Sequence, residues 1–199
     1  AHSTSPTNMG LFLLATLAAY DFGYIGLRGL SARLHETLES MERLEKYRGH
    51  FLNWYDTHTL EPLAPRYVST VDSGNLVACL CILEQGCQDL LRRPIVRWQS
   101  WEGLLDTISL LEDVVRALPP ETRAPLQSHL ALVRERIGAA QNNPVAWMPL
   151  LNRLIGADWD ELTQALMALV EPSAPPIDAN VLHRLSLAAD QMRNHLFGM

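Results

Sequence analysis

Residues 27–44 read LRGLSARLHETLESMERL, and this stretch decides the fold class. Leu27, Leu30, Leu34, Leu38, Met41 and Leu44 recur at steps of three or four, which lays one apolar stripe along a helix. Arg33, Glu36, Glu39 and Arg43 oppose that stripe, so one face seeks a core and the other seeks water. The helix is expected to end near Tyr47–Gly49.

The same signals recur on either side. Upstream, Ser5-Pro6-Thr7-Asn8 is a helix-start cluster of capping side chains with a first-turn proline. The helix it opens should run to about Phe22, with Gly23 and Gly26 as stop signals. Its run MGLFLLATLAAY at 9–20 is the most apolar in the chain, about a dozen residues where a membrane span needs roughly 20. Nothing basic precedes it, unlike a secretory leader, so it reads as a buried core helix with no membrane insertion, in a soluble chain.

Downstream, Asp72 stands where an N-cap belongs, ahead of a helix with Leu76, Leu80, Leu83 and Cys87 on one face that ends near Arg92-Arg93-Pro94. A fourth helix is expected from about Trp101 to Leu118, stopped by Pro119-Pro120, and a fifth over roughly Glu121–Gln141, broken by Asn142-Asn143-Pro144. A shorter piece holds Trp147, Leu150, Leu151 and Leu154, and another helix spans Asp158–Val170. Glu171-Pro172-Ser173-Ala174-Pro175-Pro176 reads as a semi-rigid linker before a last helix from about Asp178 to Leu196. Short pieces inside 63–71 apart, no segment alternates as a strand does. The expected class is all-α, a helical bundle or incomplete α/α toroid of about seven or eight helices. The expected plan is a helical domain over 1–171 carrying an aromatic loop at 47–72, a linker at 172–176, and a C-terminal helix at 177–199 packed on the same domain.

A chain of 199 residues can bury roughly 70% of the surface its unfolded form exposes, and a hydrophobic content of 48% is ordinary for a globular protein. The net charge of −6 argues against a nucleic-acid partner, and no run of Lys or Arg marks an anionic membrane surface. Cys79, Cys81 and Cys87 share one apolar helical stretch. Their odd number fits a reducing compartment, and Cys79 and Cys81, two apart, face different ways. They read as small buried side chains rather than metal ligands.

The connection at 47–75, YRGHFLNWYDTHTLEPLAPRYVSTVDSGN, is long, polar and rich in aromatics: Tyr47, Phe51, Trp54, Tyr55 and Tyr67. Most connections between packed helices are short, so this one draws attention. A sugar pocket needs flat apolar faces plus amides and carboxylates to hold hydroxyls. Asn53-Trp54-Tyr55-Asp56 and Asp72-Ser73-Gly74-Asn75 offer both kinds of group, which makes Asn53, Trp54, Tyr55, Asp56, Asp72, Ser73 and Asn75 the candidate substrate-binding residues. The competing reading is structural. Trp54 and Phe51 would pin the loop to the core, Asp72 would only cap its helix, and Asn75 would sit in the first turn. Asp56, Glu61 and Asp72 are the carboxylates that a hydrolytic pair would draw on, yet spacing alone gives no separation. No His-Glu-x-x-His, phosphate loop or Gly-x-Ser-x-Gly turn occurs, so no catalytic residue, metal or cofactor is assigned.

SPTNMGLFLLATLAAYDFGYI at 5–25 and LEKYRGHFLNWYDTHTLEPLAPRYVSTVDSGNL at 44–76 closely resemble a segment of the bacterial cyclic β-1,2-glucan synthases. The resemblance covers about residues 5–90, and no diagnostic motif follows from about 93 onward. It implies a large inner-membrane glycosyltransferase as parent, with this region cytoplasmic. It also implies a middle helical region related to glucoamylase-like and transglycosylating enzymes, to whose start the segment corresponds. The implied partners are the β-1,2-glucan chain and the remaining domains of the synthase. The family's catalytic carboxylates are expected beyond residue 199, which leaves this chain inactive alone. Surfaces that meet the rest of the parent would be left exposed and invite homodimerisation through apolar faces.

Two hypotheses follow. If the connection is a subsite wall, Trp54 and Tyr55 should be partly exposed beside Asp56 in a groove. If the chain is a purely structural interdomain module, Trp54 should be fully buried and Asp72 a cap. A third reading sets the resemblance aside and places an interaction surface at WQSWEG, where Trp98 and Trp101 share a helical face, against core packing as the bland alternative.

Overall fold

A computed structural model describes residues 2–170 and 176–199. The class is all-α, and the backbone gathers into two compact units, residues 1–21 with 27–95 and residues 22–26 with 96–199. Residues 172–175 of the expected linker lie outside the described residues.

The first unit holds α1 (Pro6–Asp21), α2 (Leu27–Arg43) and α3 (Thr70–Leu90). Helix α1 packs mainly on α3. Leu13 and Tyr20 of α1 are buried, and a Cβ added at Gly10 would come within 2.8 Å of the Cys79 Cβ. Only a residue without a side chain lets the two backbones come this close. The stripe of α2 is covered only in part: Leu30, Met41 and the following Leu44 are buried, whereas Leu27 and Leu38 are exposed.

Helix α3 begins earlier than the sequence suggested. Ser69 is its N-cap, and the Ser69 hydroxyl accepts the Asp72 backbone N–H at 3.2 Å. Asp72 is therefore not the cap. It lies three residues on, in the first turn, where a carboxylate still meets the positive end of the helix dipole. Ser outcompetes it as cap because the chain is extended at Ser69 (φ −86°, ψ 118°) and already helical from Thr70.

The second unit is built round α4 (Trp98–Val115). Trp101, Leu104, Ile108, Leu111 and Val115 are fully buried at steps of three and four, each worth about 1.5–3 kcal/mol of transfer from water. Helix α5 (Pro120–Ala140) and α8 (Ala179–Gly198) pack on α4. Asp178 caps α8 by accepting the Asn180 and Val181 N–H groups. Helix α6 (Trp147–Arg153) runs through a five-residue π turn, Leu154–Asp158, into α7 (Trp159–Met167), with Gly156 outside helical geometry at φ −92°, ψ −106°. Trp101 is wholly buried, and Trp98 is half-buried against Trp147 at 6.2 Å between ring centroids. The two indoles thus serve the core, and the interaction surface at WQSWEG is not present as an exposed pair. No helix among the described residues is long and apolar enough to cross a membrane.

Candidate functional site

The connection between α2 and α3 is a folded element. Its strands differ from those looked for inside 63–71. Lys46–Tyr47 (β2) pairs antiparallel with His50–Phe51 (β3) across an Arg48-Gly49 turn, with φ of 51° and 87°. Two positive φ values in a two-residue loop match the twist of a hairpin. Ser3–Thr4 (β1) pairs with Tyr55–Asp56 (β4), an isolated bridge joins Tyr55 to Pro62, and no strand falls inside 63–71. The Lys46 ammonium donates to the Met41 and Glu42 carbonyls, closing the end of α2 where carbonyls lack helical partners.

Tyr55 is the strut of this element. Its ring is fully buried, and its hydroxyl accepts the Leu52 N–H at 2.6 Å and donates to the Glu45 carbonyl at 2.7 Å. Burial holds its pKa above the ordinary tyrosine value. Asn53 is buried too, and its backbone N–H donates to the Tyr67 carbonyl at 2.8 Å. Neither presents a face to a ligand. Trp54 behaves differently: its indole is 40% exposed while its carbonyl accepts the Leu63 N–H. Asp56 accepts the backbone N–H groups of His58 and Thr59, and those two bonds hold its carboxyl below the usual carboxylate range.

The second group of candidates is tied elsewhere. The Thr7 hydroxyl donates to Asp72 and accepts from the Asn75 amide, and Ser73 donates to the Ser69 carbonyl. The hydroxyls of Ser69 and Thr7 lower the Asp72 pKa. The segment at 53–56 is held by Ser3 and Thr4, and Asp72 and Asn75 by Thr7, so both are organised round the start of the chain. Trp54 is exposed as a subsite wall would have it, Tyr55 is not, and neither mark of the structural module is present, since Trp54 is not buried and Ser69 rather than Asp72 is the cap. Asp56 and Asp72 are both pushed toward the ionised form, the opposite of what a proton donor requires. Among the described residues, no cluster of His, Cys, Asp and Glu is arranged to hold a metal.

The concave surfaces of the first unit lie beside these residues. A groove of about 370 Å³ is lined by Tyr47 and Tyr67, by Glu45, Lys46 and Arg66, and by Leu52 and Val68. Both tyrosines are at least half exposed, and Arg66 is ion-paired to Glu45. A larger groove, about 520 Å³, lies between α1 and α2 under the 57–60 turn, with Met9, Phe12, Met41 and Leu44 beside Glu36 and Ser40. Neither is lined by a residue proposed from the sequence. Tyr47 and Tyr67 were visible as aromatics in the connection. Glu45 and Arg66 carried no signal, because twenty-one residues separate partners that only the folded connection brings together.

No family model matches the chain. It is 41% identical over 143 residues, 71% of its length, to the cyclic beta-(1,2)-glucan synthase NdvB of Rhizobium meliloti (strain 1021). The chain spans about 5% of that relative. Over most of its length, this sequence is therefore similar to one segment of a cyclic β-(1,2)-glucan synthase, as the motifs at 5–25 and 44–76 implied.

Proposed function

We propose that this chain is a helical segment of a cyclic β-1,2-glucan synthase and that its α2–α3 connection contacts the glucan. The observation that carries this reading is the groove in which exposed Tyr47 and Tyr67 stand beside the Glu45–Arg66 pair. Rigid aromatic faces next to fixed donors and acceptors are what a pyranose ring and its hydroxyls need. The groove falls within the usual size range of small-ligand sites. Exposed Trp54, with Asp56, extends the same aromatic and carboxylate chemistry along the connection. Catalysis itself is assigned to other parts of the synthase, a membrane enzyme in which this region faces the cytoplasm. The remaining domains, or a second copy of this chain, would cover the apolar side chains left open on α3, among them Val71, Val77 and Ile82.

A purely structural role is the second reading, and the Tyr55 strut favours it, since a loop this well tied could simply be a spacer. Titration with linear β-1,2-glucooligosaccharides, followed by tryptophan fluorescence and by calorimetry, separates the two. The glucan reading expects saturable binding at about millimolar sugar, weakened by Tyr67→Ala and by Trp54→Ala. Absence of saturation, or binding indifferent to both substitutions, would leave the structural reading.

A further inference from the structure

The second unit contains a charged cluster that the glucan reading does not use. Asp158 is 3% exposed, and two guanidinium groups converge on it: Arg136 of α5 through Oδ1, and Arg153 of α6 through Oδ2 at 3.4 Å. A kink makes this meeting possible. Arg153 and Asp158 flank the kink at Gly156, where the chain departs from helical geometry and lets residues five apart meet that a continuous α-helix would rotate away from each other. A buried carboxylate strongly favours being paired, which ties Arg136 to it and draws Arg153 toward it.

Arg136 is hydrogen-bonded to Oδ1, whereas Oδ2 meets Arg153 only as an ion pair and has no hydrogen-bond partner among the described residues, so the three groups together carry one excess positive charge. One carboxylate offers about four lone-pair positions, whereas two guanidinium groups present ten N–H donors and two positive charges. A full positive charge and several donors are left over. They border a pocket of about 320 Å³ whose other walls are Ala139, Ala140, Ala146 and Leu150, with no acidic side chain in its lining. The pocket is also held rigidly, because the Trp147 indole donates to the Ala140 carbonyl at 2.9 Å and so locks the start of α6 against the end of α5. Arg136 is 24% exposed and Arg153 54%, so both reach solvent from a buried anchor.

We propose that Arg136 and Arg153, positioned by Asp158, form an anion site that takes a phosphate monoester carried on a small apolar group. Paired guanidinium groups suit the tetrahedral oxygens of such an anion, and the alanine and leucine walls accept an apolar carrier. Net excess positive charge in a chain that is acidic as a whole selects against cations at this point.

Calorimetric titration of the whole chain with inorganic phosphate and with phenyl phosphate tests the site. Flotation with phosphatidylcholine vesicles containing phosphatidic acid tests whether the phosphate comes from a lipid headgroup. The expected result is saturable binding that falls with added chloride. Phenyl phosphate should bind more tightly than inorganic phosphate, and Arg153→Gln should weaken binding about tenfold, as loss of one charge-assisted hydrogen bond requires. Arg153→Lys should restore part of the affinity, which rules out a mere folding defect. Capture by phosphatidic-acid vesicles that Arg153→Gln abolishes would assign the anion to a headgroup and support the site equally. No saturation with any of these probes, or binding unchanged in Arg153→Gln, would overturn it.

Discussion

Replacing Tyr55 with phenylalanine removes one oxygen and leaves the ring. Little packing changes, so the effect isolates the two hydrogen bonds of the hydroxyl. The Leu52 bond lies in an interior where Tyr55 is 0% and Leu52 6% exposed, so water cannot take the place of the lost acceptor there without opening the connection, whereas the Glu45 carbonyl is only part-buried and can turn to water. Each bond is worth about 1 kcal/mol net, and a buried N–H left without an acceptor costs about 1–3 kcal/mol more. The expected loss is about 2–4 kcal/mol, concentrated in the first unit. It should appear as faster hydrogen exchange at the Leu52 amide, by about thirtyfold or more, and as a lower urea midpoint for the first unit. Tyr55 also predicts an alkaline effect. Its pKa is raised in the folded chain, so its contribution is complete below the unfolded value near pH 10 and is lost as pH rises through the folded pKa. Tyr55→Phe should remove that loss. An unchanged Leu52 exchange rate together with an unmoved midpoint would refute the strut.

Three further outcomes follow from the same unit. Gly10→Val should destabilise by about 2 kcal/mol, because its Cβ would meet the Cys79 Cβ, whereas Gly74→Ala in α3 meets nothing within 4 Å and should stabilise by about 1 kcal/mol; thermal unfolding of both variants checks the contrast. Arg48→Asn and Leu60→Gly each replace a residue held at positive φ (51° and 63°) by one that accepts it, and each should raise the melting temperature through about 0.5–1 kcal/mol. The Asp72 pKa is lowered, so its contribution is present above the unfolded value near 3.9 and lost as pH falls through the folded pKa. Acid titration monitored by circular dichroism should therefore show Asp72→Asn less sensitive to pH below about 4 than the parent chain.

The helices were legible from apolar period in α2 and α4 and from the cap cluster and glycine stops in α1, but α2 stops at Arg43 rather than near Tyr47–Gly49, because the residues that follow pair as the β2–β3 hairpin. What the sequence hid has physical causes. The N-cap of α3 fell to Ser69 because cap choice depends on where the chain turns helical, and Ser69 and Asp72 are both good caps. The strands of the connection pair residues 3–4 with 55–56, a long-range match that two-residue strands cannot announce by alternation. Tyr55 and Trp54 are neighbours with identical promise for a sugar, yet Trp54 lies just before β4 and stays at the surface while Tyr55, inside it, is drawn into the interior by its bonds to Leu52 and Glu45. The groove at Tyr47 and Tyr67 needed the Glu45–Arg66 pair, which no local pattern encodes.

The pairing of β1 with β4 has a practical consequence. The Thr57 N–H donates to the His2 carbonyl, the His2 and His58 rings sit 4.3 Å apart, and Thr4 lies opposite Tyr55. The opening residues are therefore structural members of a loop fifty positions away. A bulky label attached at residues 2–4 would press on that loop, and proline in place of Thr4 would disturb its pairing with Tyr55. Handles for immobilisation or labelling belong on the exposed Cys81 instead, whose neighbour Cys79 is shielded beneath Gly10 and should stay unmodified.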